Sequence, residues 1–311
     1  MIPVATPNLT APHPSASHPS APPITQARRR RNSRTLKGVL LSVPMKILIA
    51  VILIIEIYPL VWMLISSFKT QAEFLGKSFW SFPADPQFSN YVNAFTVGDM
   101  GHYILNSAIV VFPSLALIIL FGTAAGFALE VMVFKGRGFI LMLFLAGILI
   151  PGQMILLPLF TIYFQTGLTG SLWPLIITYT ATGMPLTVFF MATYFRSIPK
   201  EIFEASTLDG ANIFRTFWSV GFPMVRNAVF TVALVQFFFL WNDLLIALTF
   251  TNSQSLQTIQ VGLLNFTGNY GQVSYGPLFA AICVSVFGTL VIYLFLNQRV
   301  MKGLTAGSVK G

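Results

Sequence analysis

The chain has 311 residues, of which 55% are hydrophobic and only 9% are charged, and its mean hydropathy is +0.76. About a quarter of the residues of a soluble domain are charged, so this composition excludes an ordinary soluble protein and indicates an integral membrane protein. The net charge of +9 does not indicate a nucleic-acid-binding protein, because the basic residues lie beside apolar runs rather than on one face of a soluble fold.

Residues 1–38 are predicted to form a disordered, basic cytosolic tail. They are rich in Pro, Ala, Ser and Thr without periodicity and include a cluster of arginines at 28–31, so they contain too little apolar surface to fold. The tail places too many residues before the first apolar run for a cleavable signal peptide. Its basic end is interpreted as a topology signal, and contact with anionic membrane lipid is the alternative.

Six apolar stretches are each long enough to cross the hydrocarbon layer of a membrane, which takes about 20 helical residues. The predicted spans are 45–67, 103–129, 139–164, 172–195, 227–250 and 278–298. Prolines inside them remove helix hydrogen bonds and are predicted to bend the helices. The predicted fold is therefore an all-α membrane protein with six transmembrane helices, whose six-span domain covers residues 39–302 and is followed by a C-terminal cytosolic tail, residues 303–311.

The distribution of basic residues predicts the orientation of the chain. Of the 18 Lys and Arg residues, only Lys69 and Lys77 fall on the side of the membrane opposite to the others. Because cytosolic loops are enriched in Lys and Arg, both termini and the loop 196–226 are predicted to be cytosolic. On the other side of the membrane, a short interfacial helix is predicted near residues 90–96.

The loop between the fourth and fifth spans is predicted to be a helix, a glycine turn and a second helix. Pro199 suits the first helical position, where its missing N–H costs nothing, and Glu201 and Glu204 favour the positive end of the helix dipole. Gly210 can adopt the left-handed conformation that ends a helix, and Asn212 can cap the next one. The second helix carries three aromatic residues at a spacing that places them on one face: Phe214, Phe217 and Trp218.

The spacing within this loop resembles the cytoplasmic EAA loop of ABC importer permeases, which reads Glu-Ala-Ala, three residues, Gly, nine residues, Ile, any residue and Leu-Pro. The residues at these positions are Glu204, Ala205, Ser206, Gly210, Val220, Phe222 and Pro223. Three of them are substitutions of similar size or polarity, so spacing carries the match more than identity: Ser206, Val220 and Phe222. Asp209 with the Gly-Ala that follows it, and residues 303–311, look like the carbohydrate-uptake (maltose-type) branch, in particular its MalG-like subunit.

This resemblance implies a permease subunit of an ATP-driven importer in the bacterial cytoplasmic (inner) membrane, which moves a sugar of the di- or oligosaccharide class by alternating access. The implied partners are a homologous second permease subunit, a dimer of ATPase subunits, an extracytoplasmic sugar-binding protein and the sugar itself. ATP and Mg are then bound by the ATPase, and no cofactor, catalytic residue or metal ligand is expected in this chain.

The sequence agrees with a non-enzymatic subunit, since it lacks the Gly-x4-Gly-Lys-Ser/Thr phosphate loop and has no histidine cluster. Two alternatives remain open. One is an importer for a different solute, such as glycerol phosphate or a polyol. The other is a gated channel, which would be expected to show rings of charge and would need no coupling motif.

The resemblance also implies that the loop lies in a groove of the ATPase and acts as a lever. The residues expected to carry this coupling are Glu201, Glu204, Ala205, Ser206, Asp209 and Gly210. A charge-assisted hydrogen bond from an Arg of the ATPase to Glu204 would fix the register. Apolar contact with the ATPase is expected from three neighbours: Ile202, Phe203 and Leu208. A plain surface loop is the alternative.

Four polar residues within the predicted spans are candidates for lining the solute pathway: Glu56, Gln236, Asn242 and Asp243. Ionisable side chains are costly at membrane depth, so Glu56 and Asp243 are expected to be hydrogen-bonded, protonated or paired across a subunit interface. Gln236 and Asp243 are seven residues apart and are predicted to share a helix face. A structural role for Glu56 and a lipid-facing fifth span are the alternatives.

The segment 251–277 contains no Lys, Arg, Asp or Glu but many Asn, Gln, Ser, Thr, Tyr and Gly residues. Uncharged hydrogen-bonding groups suit contact with a sugar or with a sugar-loaded protein. The resemblance maps the loop that reaches into the binding protein onto Gly268, Asn269, Tyr270, Gly271 and Gln272. An ordinary solvated loop is the alternative.

Overall fold

The computed structural model describes residues 36–267 and 273–307 of the chain. Most of the predicted N-terminal tail, and residues 308–311 of the predicted C-terminal tail, therefore lie outside the described residues. The chain divides into two units, residues 1–55 and 56–311. In the described part, the first unit contains the beginning of one helix, and the second contains the rest of that helix and all the other elements.

The described residues are mostly helical. In chain order the α-helices are α1 (Leu36–Ser66), α2 (Gln71–Gly76), α3 (Ser89–Thr96), α4 (Met100–Glu130), α5 (Arg137–Leu149), α6 (Leu156–Gln165), α7 (Trp173–Arg196), α8 (Lys200–Leu208), α9 (Ile213–Thr216), α10 (Phe222–Trp241), α11 (Leu245–Phe250), α12 (Ile259–Gly262) and α13 (Tyr275–Gly307). Single 3₁₀ turns occupy Gly152–Ile155, Gln254–Leu256 and Leu263–Phe266, and a π-helical turn at Phe217–Gly221 joins α9 to α10.

Among the described residues, five helical segments are long and apolar enough to cross a membrane: Pro44–Ser66, Met100–Glu130, Trp173–Arg196, Ile213–Trp241 and Tyr275–Leu294. A further apolar stretch is a pair of helices, Arg137–Leu149 and Gly152–Gln165, that are bent by 94° at a short break. Counting this pair as one span gives six. The predicted fold class, an all-α membrane protein with six spans, is confirmed.

The third span is not the continuous helix predicted over 139–164. α5 ends at Leu149, and the next two residues, Ile150 and Pro151, have extended backbone with ψ angles of 115° and 124°. Pro151 has no N–H to donate, and its ring disfavours the helical conformation in the residue before it. The chain therefore turns sharply at this proline before α6 begins.

The fifth span also differs from the predicted range 227–250. Its helical run begins at Ile213, inside the predicted loop, and ends at Trp241, with Asn242 as the residue after the helix. The Asn242 amide donates to a carbonyl of the last helical turn at 3.0 Å, and the Asp243 carboxylate accepts from the backbone N–H of Ala247 at 3.0 Å. Side chains that bond to nearby backbone in this way compete with the helical pattern, so α10 and α11 are separate helices.

α4 and α7 pack closely against each other because glycines lie at their contact. A Cβ added to Gly122 would lie 2.4 Å from Cγ2 of Thr187, and one added to Gly126 would lie 2.7 Å from Cβ of Met191. Small residues four positions apart allow two helix backbones to approach in this way. Among the described elements, this pair brings the ends of α4 and α7 together, which matters for the site below.

The irregular segment between α11 and α13 covers the start of α4. The side chain of Asn106 donates to the carbonyl of Ser255 at 2.9 Å, and the hydroxyl of Tyr103 accepts from the amide of Asn265 at 2.8 Å. Side chains of α4 thus satisfy both backbone and side-chain groups of the irregular segment. A helix is present where one was predicted near 90–96, namely α3, whereas its location at the membrane interface stays a prediction.

Candidate functional site

The loop after the fourth predicted span folds as predicted, into a helix, a glycine turn and a second helix. We call residues 199–216 the hairpin. α8 begins directly after Pro199, and Gly210 has a φ of +78°, a left-handed conformation in which glycine has no steric cost. The side chain of Asn212 accepts from the backbone N–H of Arg215 at 2.9 Å and so caps α9.

The inner face of α8 is buried against the ends of the spans. Phe203 is 7% exposed and belongs to an aromatic cluster formed by α4, α7, α8 and the π-helical turn: Phe127, Phe195, Phe203 and Phe217. The ring centroids of Phe203 and Phe127 are 5.8 Å apart. The prediction that Phe203 offers apolar contact to a partner is therefore wrong, because the helical period turns its ring into the chain's own core.

A buried pair of hydroxyl groups joins the two helices of the hairpin. The Ser206 Oγ and Thr216 Oγ1 atoms are 3.0 Å apart, and both side chains are buried. A buried hydroxyl without a partner is costly, so each group depends on the other. Ser206, predicted as a coupling residue from the motif, is thus placed inside the hairpin, between α8 and α9.

The outer face of α8 and the turn after it are exposed. Five of the six predicted coupling residues lie there: Glu201, Glu204, Ala205, Asp209 and Gly210. Leu208, beside them, is 88% exposed. Three carboxylates around an exposed leucine form a surface suited to a groove with basic and apolar groups.

The three aromatic residues of the second helix do not behave alike. Phe217 is buried in the aromatic cluster, whereas Phe214 is 75% exposed and Trp218 is 52% exposed. The first turn of this helix is α-helical and the next is π-helical, and the wider turn carries the chain on into α10. The hairpin is therefore continuous with the fifth span from Ile213 to Trp241.

An ion pair lies beneath the hairpin, where two spans end. Arg196, the last residue of α7, donates to Glu130, the last residue of α4, at 2.9 Å. Arg137, at the start of α5, donates to a carbonyl of the preceding loop at 2.9 Å. With Lys200 and Glu204, these side chains line a groove of about 360 Å³ between the span ends and α8. The ends of three spans are thus held together where the hairpin rests.

Sequence reasoning did not single out Glu130. The sequence did contain a signal for this pair, since Glu130 ends one apolar run and Arg196 ends another on the same predicted side of the membrane. Identifying the pair requires knowing that α4 and α7 are neighbours, which the sequence pattern does not give.

A second candidate site is a cavity of about 550 Å³ among the third span's break, α7 and the junction of α10 with α11. Its polar lining residues are Tyr179, Thr182, Gln236 and Asp243. The Gln236 amide donates to the Gly183 carbonyl and to the Thr187 hydroxyl, each at 2.9 Å, which ties α10 to α7. The remaining lining is mostly apolar.

Asp243 is hydrogen-bonded, one of the three outcomes expected for it. Its Oδ2 atom accepts from the Tyr179 hydroxyl at 2.8 Å and from the N–H of Ala247 at 3.0 Å. Gln236 and Asp243 line the same cavity, although Asp243 lies beyond the end of the helix that was predicted to carry both. Tyr179 was not predicted, and the sequence signal for it is a tyrosine in the middle of an apolar span.

The other two predicted pathway residues lie elsewhere. Asn242 is exposed and lines a separate cavity of about 250 Å³, together with Ser285 and Thr289 of α13. Glu56 is exposed on α1 and does not line the cavity of Asp243. The structure thus brings two of the four predicted pathway residues together.

The five residues predicted to contact a binding protein, 268–272, lie outside the described residues. Their flanks are described: Thr267 and Val273 form an isolated antiparallel bridge. Gln71 of α2 holds the second flank, since its side chain donates to the Val273 carbonyl at 2.8 Å and accepts from the N–H of Tyr275 at 3.0 Å.

α2 itself is stabilised by Glu73. The carboxylate accepts from Lys77 at 2.7 Å and from the N–H of Ala84 at 2.9 Å, and it completes a capping box with Thr70. The hydrogen bond from Lys77, followed by those from the two backbone groups, lowers the pKa of Glu73 to about 2. No group of three or more His, Cys, Asp or Glu side chains that could hold a metal ion occurs in the part of the chain that the structure describes.

Five or six apolar helices, with a polar hairpin packed on the ends of the spans, define a multi-pass helical membrane protein. Residues 118–300 match the family model described as "Binding-protein-dependent transport system inner membrane component". This match covers more than half of the chain. The chain belongs to this family.

Two of the relatives that align over most of the chain are permease proteins named for the uptake of sugars. The chain is 36% identical to the diacetylchitobiose uptake system permease protein NgcG of Streptomyces coelicolor, over 83% of this chain and 85% of that protein. It is 30% identical to the melibiose/raffinose/stachyose import permease protein MelC of Bacillus subtilis, over 85% of this chain and 95% of that protein. The resemblance to permeases of carbohydrate-uptake ABC importers is confirmed.

A solved structure has the same fold. It is that of a bacterial ABC transporter involved in the import of the acidic polysaccharide alginate, with a TM-score of 0.74 and 19% sequence identity over 85% of this chain and 98% of that chain. At this level of identity the similarity concerns the fold, not the solute.

Proposed function

We propose that this chain is the translocation subunit of an ATP-driven sugar importer and that the hairpin couples it to an ATPase. The observation that carries this proposal is the division of α8 into two faces. Phe203 and Ser206 pack toward the spans, whereas Glu201, Glu204 and Leu208 are exposed. A helix built in this way is fixed to the bundle on one side and available to a partner on the other.

Movement of the hairpin reaches the spans by two routes. The first is the aromatic cluster, through which Phe203 contacts α4 and α7. The second is the hydroxyl pair of Ser206 and Thr216, which links α8 to the continuous helix of the fifth span. ATP and Mg are bound by a dimer of ATPase subunits, and closure of that dimer shifts the spans between two accessible states. This chain contributes no catalytic group.

The hairpin faces the cytosol in this proposal, and both termini lie on the same side. The support is the distribution of Lys and Arg, of which only Lys69 and Lys77 fall on the opposite side. The hairpin then contacts the ATPase in the cytosol, the compartment that contains ATP. A homologous second permease completes the pathway, and an extracytoplasmic binding protein delivers the sugar from the other side.

The solute proposed is a di- or oligosaccharide, which passes the cavity lined by Gln236 and Asp243. Relatives named for diacetylchitobiose and for melibiose, raffinose and stachyose support this class. The volume of about 550 Å³ lies within the usual range for small-molecule sites, roughly 300–1,000 Å³. Glycerol phosphate is less well supported, since no Lys, Arg or His is among the described residues that line the cavity.

The coupling role is tested by Glu204→Ala in the importer reconstituted with its partner subunits in proteoliposomes. Loss of one charge-assisted hydrogen bond costs about 1.5–3 kcal/mol, so we expect the ATPase to associate about 10–100-fold more weakly and sugar uptake to fall. Asp85→Ala, which removes an exposed carboxylate far along the chain from the hairpin, is the matched control.

A second variant of the hairpin tests the turn rather than the charge. Gly210→Pro forces a φ near −65° where the chain has +78°, so the two helices of the hairpin cannot keep their angle. Uptake should be lost while the chain still inserts into the membrane. Normal uptake by both hairpin variants would disprove the coupling role.

The loop 268–272 is proposed to contact the binding protein, on the support of its uncharged, hydrogen-bonding composition and its place between the bridged residues Thr267 and Val273. Deleting these five residues should reduce uptake from the loaded binding protein more than it reduces assembly with the ATPase. Full uptake by the deletion variant would make the loop a passive connection.

A further inference from the structure

The cavity beside the break in the third span has a single acidic side chain, and no Lys, Arg or His, among its described lining residues. That side chain is Asp243, and the polar groups around it are hydroxyls and an amide: Tyr179, Thr182 and Gln236. A cleft lined by charge of one sign within low-dielectric walls concentrates ions of the opposite sign and repels ions of the same sign. The cavity is therefore expected to attract cations and to repel anions.

The geometry leaves one carboxylate oxygen for a solute. Both described hydrogen bonds to Asp243, from Tyr179 and from Ala247, go to Oδ2. These two donors fix the plane of the carboxylate at the end of α10. Since the residue is half-buried and lines the cavity, the fixed charge acts inside it rather than in bulk water.

The chemistry of the wall agrees with a saccharide that carries no negative charge. The hydroxyl groups of a neutral sugar can donate to a carboxylate, and an aromatic ring offers an apolar face, as Phe239 does here. A carboxylate, phosphate or sulfonate on the sugar would meet Asp243 without a described basic residue in the cavity to offset the repulsion.

We propose that Asp243 is a specificity-determining residue that makes this cavity selective for neutral and cationic saccharides and excludes anionic ones. The inference rests on the proposed function, in which this cavity belongs to the sugar pathway. It goes beyond that function because it attributes the selection of sugars by their charge to a single carboxylate, which is held in place by Tyr179 and the backbone of α11.

The charge of the cavity can be measured without any sugar. In the assembled importer, Cys283 is replaced by Ala and Ala181, an exposed cavity-lining residue, is replaced by Cys. The introduced thiol is treated with two methanethiosulfonate reagents of similar size, the cationic trimethylammonioethyl and the anionic sulfonatoethyl compound. Even at the dielectric constant of water, unit charges separated by roughly 6 Å change the two rates by about threefold in opposite directions, and the interaction is stronger inside the cavity. The ratio of rates should therefore favour the cation by at least about tenfold.

Two substitutions separate the charge of Asp243 from its structural bonds. Asp243→Asn keeps an acceptor oxygen for Tyr179 and Ala247 but removes the charge, so the preference for the cationic reagent should disappear. Thr289→Asp places a carboxylate on α13, in a different cavity, and should leave the ratio unchanged. An unchanged ratio in Asp243→Asn would overturn the proposal.

Occupancy by a sugar is measured as protection of the same thiol, with maltose and its singly charged aldonic acid maltobionate as probes. Maltose should protect and maltobionate should not, and Asp243→Asn should allow both to protect. Equal protection by both sugars in the unaltered chain would overturn the charge selectivity and leave the proposed function intact. Protection by neither sugar would remove the cavity from the pathway, and with it both the selectivity and that part of the proposed function.

Discussion

Phe203 anchors the hairpin to the spans, and its replacement by Ala should release the hairpin locally. The side chain is 7% exposed and packs with three other phenylalanines. Replacing a buried Phe by Ala costs roughly 3–5 kcal/mol. The hairpin lies at the edge of the bundle and can partly close the gap, so we take about 3 kcal/mol, which increases the equilibrium for local opening about 100-fold.

The assay is hydrogen–deuterium exchange of peptides that cover residues 200–212 in the purified importer. Amide exchange reports local opening, so these peptides should exchange about 100-fold faster in Phe203→Ala. Phe214→Ala is the matched control, because it removes the same side chain from the same hairpin at a position that is 75% exposed. Sugar uptake should fall in the first variant and remain in the second.

Equal exchange in the two variants would mean that the aromatic cluster does not hold the hairpin, and Phe203 would not be its anchor. Faster exchange of Phe203→Ala with normal uptake would contradict only the claim that Phe203 transmits movement. The hairpin would then be anchored by Phe203, but the anchor would not transmit movement to the spans.

Three further expectations concern other parts of the chain. Ser206→Ala leaves the Thr216 hydroxyl buried without its partner and should cost about 1–3 kcal/mol, and adding Thr216→Val should recover part of this loss in the thermal unfolding of the importer. Gly126→Val places side-chain atoms against the facing helix, where even a Cβ would lie 2.7 Å from its neighbour. It should lower the unfolding midpoint by an amount that corresponds to about 1–3 kcal/mol. Gly288 has open space around it, so Gly288→Val should lower the midpoint less. Because the pKa of Glu73 falls from 4.5 to about 2 on folding, its contribution to stability is present above pH 4.5 and is lost as the pH falls toward 2. Glu73→Gln should remove this part of the pH dependence of the unfolding midpoint. An identical pH profile in the variant would contradict the stabilising role of the Glu73 carboxylate.

The number of spans and the local structure of the hairpin were predictable from the sequence. A membrane span requires about 20 apolar residues, and this demand leaves a direct trace in the composition along the chain. The turn of the hairpin is equally local, because Gly210 and Asn212 act on backbone groups within a few residues of themselves. The exposure of Glu201 and Glu204 follows from the same helical period.

The ends of the spans were less predictable, because apolar content does not show where a helix stops. Pro151 was recognised as a residue that bends a helix, but the 94° angle at this break depends on what the two halves pack against. The fifth span ends at Trp241 because the Asn242 amide and the Asp243 carboxylate, which follow it, bond to nearby backbone. In the sequence both look like polar residues within a longer span.

From the sequence alone it follows that this chain is a helical membrane protein, that the loop 196–226 resembles the EAA loop of ABC importer permeases, and which side of that loop's first helix is polar. Three further facts depend on the packing of the whole chain: Phe203 faces the core, Glu130 pairs with Arg196, and Asp243 is hydrogen-bonded by Tyr179. The last two pairs join residues 66 and 64 positions apart. Such pairs depend on which helices are neighbours and at what depth, and the packing of glycine-lined helix faces sets both, whereas hydropathy and local spacing do not specify either.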